Sequence, residues 1–252
     1  MKNYLVIQHT YSEFLGLIET QLEKRDIGFS YYRPFTGQDL PGNVGQFDGV
    51  FFLAGAWPTT DDEHNPAVEG ELNLIQIFEK ARRPVIGIGM GGLLVAQAHG
   101  GTPKAEPMHT AKFVTAHKTE AGEGDELAEA MDGRRLLVMY NGSVELPDDV
   151  KPILVDDDGN WLAIHPEEST YGLLFRPEMK PGMLEDIIME ADHNPPEHIG
   201  ELLGEARMEW GGMQETTDLV VVALVKECDL MQERHKMPVF SLKVEMHDSD
   251  GE

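Results

Sequence analysis

Apolar residues in the first half of the chain come in short blocks, separated by stretches where they recur every three or four positions. Tyr4, Leu5, Val6 and Ile7 form one block and residues 85–88 another, while 29–32 and 47–53 form two more, broken by Ser30 and by Asp48 and Gly49. Blocks of this length predict buried strands, as in a parallel sheet. Between them, Phe14, Leu17, Ile18 and Leu22 share one helical face, with Ser12 placed as the N-cap. Val68, Leu72, Ile75 and Phe78 share another, opened by Pro66 and closed by Lys80, Arg82 and Arg83. Strand and helix alternate, which is βαβ punctuation.

The second half changes character. Residues 102–108 read as a loop, 112–117 and 136–140 as strands, and 123–131 as a short helical stretch. Strands are predicted at 153–155, 161–164 and 171–175, with a turn at Asp158, Gly159 and Asn160. Residues 181–191 and 197–208 suit closing helices, and 219–225 is apolar enough to be buried as helix or strand. Residues 238–246 alternate apolar and polar, the period of a half-buried strand, ahead of an acidic tail expected to be disordered. The expected fold is α/β and three-layered: a mostly parallel central sheet flanked by helices, with a small antiparallel addition. Residues 1–210 would form that domain and 211–252 a C-terminal extension.

The chain has 252 residues, long enough for one large α/β domain without disulfides or metal. Its single cysteine, Cys228, excludes an internal disulfide framework and, in an apolar segment, reads as core. The N-terminal residues show no signal-peptide pattern, and no apolar run reaches the ~20 residues of a membrane span, so a cytoplasmic protein is expected. Acidic residues number 45 against 20 basic, a formal net charge of −25. Such a field repels nucleic-acid phosphates and anionic membranes, so neither is an expected partner. A solvated acidic surface explains the balance; the sharper reading is a basic partner protein.

Residues 84–101, PVIGIGMGGLLVAQAHGG, read as a strand, a sharp glycine turn and a helix ended by glycines. Elbows of this kind lift a nucleophile over a sheet, against the amides of a helix N-terminus. This one presents none. The segment resembles the nucleophile elbow of class I glutamine amidotransferases, with Pro84, Gly87, Ile88, Gly91, Leu94, Ala96, Gly100 and Gly101 finding counterparts. The resemblance implies a flavodoxin-like fold and sets Gly89 where the family has its cysteine and Leu93 where it commonly has glutamine. A second segment, residues 171–178 (YGLLFRPE), is similar to the family's catalytic-histidine motif, with Gly172, Phe175, Pro177 and Glu178 matching and Arg176 at the histidine position. Residues 54–58 stand where the family has its oxyanion turn, Ala54 replacing the usual glycine beside Gly55. Asn141 and Ser143 stand where a histidine and an aspartate are common.

Glutamine hydrolysis needs a nucleophile, a base and an oxyanion hole. Gly89 has no side chain to attack with, and Arg176 stays protonated, so no glutaminase activity is expected. Of the triad positions Gly89, Arg176 and Glu178, none is intact as a set. His165-Pro166-Glu167 imitates the catalytic signature but reads as a surface turn. His64, His99 and His109 show no metal-ligand spacing, so neither a metal nor another cofactor is expected. Ala54, Gly55, Gly89, Met90, Gly91, Asn141 and Arg176 would line a residual pocket. There Arg176 either offers its guanidinium to a small carboxylate or phosphate, or pairs with Glu178 or another acid and fills the site. The expected protein is a non-catalytic accessory subunit, bound to a partner enzyme or to copies of itself. The alternative is an enzyme of altered chemistry on amide or γ-glutamyl compounds that uses acids such as Glu178.

Overall fold

The computed structural model describes residues 2–189 and 198–232, with the main chain alone at 105–109 and 188. Its centre is an eight-stranded sheet. Five strands run parallel in the order β2 (Ile27–Tyr32), β1 (Lys2–Ile7), β3 (Gly49–Phe52), β4 (Val85–Ile88) and β10 (Thr170–Leu173). Antiparallel strands β9 (Trp161–Glu167), β8 (Pro152–Val155) and β6 (His117–Lys118) extend the sheet beyond β10. A separate two-stranded ribbon pairs β5 (Thr102–Thr115) with β7 (Arg135–Glu145).

Strand periodicity splits the core in two. Tyr4, Val6, Phe51, Leu53, Ile86 and Ile88 face one layer, while Leu5, Ile7, Val50, Phe52 and Val85 face the other. Over the first face pack α1 (Leu17–Glu23), α4 (Glu126–Met131) and α7 (Trp210–Glu227). The second face is covered by α2 (Val68–Lys80) and α3 (Met90–Ala98). A third cluster gathers α5 (Pro181–Met189) and α6 (Ile199–Met208) against the β5–β7 ribbon. The three-layer α/β expectation is met, antiparallel addition included.

The expectations that fail do so where a distant partner decides. Ser12 does not cap α1, which begins five residues later at Leu17 after Gly16. The Leu17 N–H is taken by the Glu178 carbonyl at 2.9 Å, so residues 12–16 are free to run along the end of the sheet. Residues 102–108 are strand rather than loop, because β7 runs on to Glu145 and offers them a partner, with a register shift between Lys104 and His109. The segment 219–225 meets its expectation in the helical form: it lies within α7, whose Val220, Val221, Ala223 and Leu224 join the same core as β1. His165 lies on β9, where it bonds Asp125 and stacks on Tyr171, and is not a turn residue. The expected strand at 238–246 and the tail beyond it lie outside the described residues. Among the described residues no helix is long and apolar enough to cross a membrane.

Candidate functional site

The loops that follow β1, β3, β4 and β10 meet at the carboxyl ends of the parallel strands, where open α/β sheets place their clefts. Gly89 caps β4 at φ 57° and ψ −115°, a conformation that costs a residue with a side chain of the order of 1–3 kcal/mol. The turn is tight against the sheet: a Cβ on Gly91 would lie 2.1 Å from the Phe52 carbonyl oxygen. The Gly91 N–H donates to the Leu53 carbonyl at 3.2 Å, so this amide serves the fold.

A side chain at position 89 would find its space taken. Its Cβ would sit 2.8 Å from the Ala54 methyl and 3.5 Å from Arg176 Cδ. The methyl at 54 and the missing side chain at 89 are therefore complementary.

Arg176 is delivered by the segment after β10, which lies along β7: its N–H donates to the Leu137 carbonyl at 2.8 Å, and Phe175 bridges to Val138. Its guanidinium is buried and committed on several sides. Nε donates to Glu178 Oε1 at 2.5 Å and Nη1 to the Met139 carbonyl at 3.2 Å. Nη2 lies 3.0 Å from Glu13 Oε1, an ion pair in distance but out of line for a hydrogen bond. Burial works against the charged guanidinium, yet the two carboxylates outweigh it and hold its pKa above the ordinary value. For Glu178, burial pushes the pKa up against the pull of Arg176. From behind, Thr217 on α7 donates to the Pro177 carbonyl at 2.5 Å and fixes the segment.

Of the two states expected for Arg176, the structure contains the paired one, and Glu13 is the partner that sequence reading missed. Glu13 lies in the stretch assigned to α1. Gly16, whose Cβ would fall 2.2 Å from the Glu178 carbonyl oxygen, brings that stretch beside the Arg-Pro-Glu segment.

A second buried charged pair was also missed. His9, just past β1, places Nδ1 3.0 Å from the Leu53 carbonyl and Nε2 3.0 Å from Glu71 Oε2 on α2. With an acceptor facing Nδ1, that nitrogen carries the proton, and the carboxylate at Nε2 favours a second. Burial would lower the His9 pKa, but Glu71, then Glu13, raise it above the ordinary 6.5.

The other candidate residues converge on the same place. Met90 is fully buried beneath Gly55, where a Cβ would approach its sulfur at 2.7 Å. Asn141 Nδ2 donates to the Ala56 carbonyl and pins the 54–58 turn to β7. Thus Ala54, Gly55, Gly89, Met90, Gly91, Asn141 and Arg176 lie together, held by contacts within the chain. Among the described residues no group of three or more His, Cys, Asp or Glu side chains could hold a metal ion.

Solved structures share this arrangement of strands and helices. A glutamine amidotransferase from Methylobacillus flagellatus superposes with a TM-score of 0.79 at 22% identity, covering 94% of this chain and 98% of that one. The fold is a glutamine amidotransferase fold. Another such enzyme, from Thermotoga maritima, matches with a TM-score of 0.73 at 18% identity, over 89% of this chain and 98% of that one. In sequence, 125 residues are 30% identical to the glutamine amidotransferase-like protein YfeJ of Salmonella typhimurium, 48% of this chain. The chain spans about half, 52%, of that relative's length. No family profile matches the chain.

Proposed function

We propose that this protein is a non-catalytic glutamine amidotransferase-like protein that works by binding, as an accessory subunit of a partner enzyme or in an assembly of its own copies. The observation that carries the reading is the content of the former reaction centre. The Ala54 methyl crowds the position a side chain at 89 would take, with the Arg176 stem in contact beside it, and the guanidinium at the base position is neutralised by Glu13 and Glu178. With neither attacking atom nor proton acceptor, hydrolysis of the glutamine amide has no first step. A small carboxylate could reach Arg176 only by displacing one of those acids, so ligand binding there stays subordinate to protein binding.

The second reading, altered chemistry on amide or γ-glutamyl compounds, has one feature in its favour: His9 and Glu71 form an imidazole–carboxylate pair beside the turn. It ranks lower because both ring nitrogens are engaged.

The test is to incubate the full chain with glutamine and with a thiol-directed glutamine analogue, following ammonia release and intact mass, and to purify the protein natively. The expected result is no ammonia, no adduct and a stoichiometric protein partner or defined self-assembly. Sustained ammonia release, or a monomer that brings down nothing, would overturn the proposal.

A further inference from the structure

A trough of about 530 Å³ lies between the segment after β2 and the start of α2. Its apolar walls are Pro34, Leu40, Pro66 and Ala67, and its two charged residues are Asp39 and Glu69, both exposed. No lysine, arginine or histidine lines it. Phe35, next in the chain to the lining residue Pro34, packs edge-on against Tyr11 at 4.8 Å between ring centres, and Tyr11 is 71% exposed.

We propose that this trough is a docking site for a basic segment of a partner protein. An arginine or lysine side chain would lay its aliphatic stem on the proline and leucine walls and present its charged end to Asp39 and Glu69. The Tyr11–Phe35 pair would supply the aromatic anchor that protein interfaces favour. Two observations select this occupant over others. The trough has the mixed lining that suits a long amphipathic side chain better than a purely polar ion. The net charge of −25 on the whole chain attracts a cationic partner and repels an acidic one. Glu69 alone is accounted for by the positive end of α2, whose first turn it occupies. Asp39 comes to the trough from a different segment, the one that follows β2. The proposal deepens the binding reading above and rests on it.

The probe is a capped Pro-Arg-Pro-Arg peptide, titrated into the isotope-labelled full chain and followed by the backbone amide shifts of residues 37–40 and 67–73. A Pro-Gln-Pro-Gln peptide and spermidine are run alongside. The expected result is saturable shifts confined to those residues with the arginine peptide, weaker with spermidine and absent with the glutamine peptide. The double variant D39N/E69Q should weaken binding about three- to tenfold and lessen its salt dependence. Equal binding of the glutamine peptide, equal binding of spermidine, shifts elsewhere, or an unaffected double variant would each overturn the trough as the site. Failure here leaves the glutamine and native-purification results untouched, so the site and the accessory role can fall separately.

Discussion

Gly89 and Ala54 are coupled by space. Gly89→Cys would impose a side chain on a φ of 57° and drive its Cβ against the Ala54 methyl. We expect a loss of roughly 1–3 kcal/mol in urea unfolding. Adding Ala54→Gly should return part of it by removing the methyl but not the backbone strain. A double variant no better than the single one would show that the methyl is not the obstacle. The ion cluster makes a separate prediction. Arg176→Met leaves Glu13 and Glu178 buried without their cation, and should cost about 3–5 kcal/mol near neutral pH. Combining it with Glu13→Gln and Glu178→Gln should recover much of that loss, because the uncompensated charges are gone. Gly89 and Arg176 could be singled out from the two motifs; Glu13 could not, since it borders a helical pattern that gave it no special place.

At the scale of elements, α7 carries more of the core than an appended helix would. Val220, Val221 and Leu224 pack with β1 and α4 residues, and Thr217 holds the segment that bears Arg176. Leu224→Ala should therefore cost about 2–5 kcal/mol, whereas Ala at the 39%-exposed Val222 should change stability by less than about 0.5 kcal/mol. Thermal or urea unfolding of the two variants checks the contrast; equal effects would mean that α7 is docked differently. Most elements were legible because a strand buried on both faces and an amphipathic helix leave unmistakable periods. Residues 102–108 left none. Their extended form is imposed by pairing with β7, and pairing is a property of the partner.

For the molecule as a whole, charge sets the response to solution conditions. A net charge of −25 repels itself in the folded state, so the melting temperature should rise as salt increases from about 0.01 to 0.15 M. A flat salt response would mean that the acids are already balanced locally. The His9–Glu71 pair adds a pH dependence of definite sign. Because the folded His9 pKa is raised above the ordinary 6.5, its contribution is fully present below about pH 6.5 and is lost as pH rises through the higher folded value. Unfolding free energies measured between about pH 6 and 9 should fall more steeply for the natural protein than for His9→Asn. Identical slopes would show that folding leaves the His9 pKa where it stands in the unfolded chain.

The sequence by itself determined the α/β alternation, the two-faced core and a glycine elbow with no nucleophilic side chain at Gly89. It also placed an arginine, Arg176, ahead of Pro177 and Glu178. Each is written in local composition or in residues a few positions apart, where period and side-chain chemistry suffice. The tertiary structure alone decided which acids neutralise Arg176, that the Ala54 methyl occupies the space above Gly89, and that His9 meets Glu71 across 62 positions of chain. Those outcomes depend on which loops meet at the end of the sheet. The order of parallel strands sets that meeting, and no local pattern encodes it.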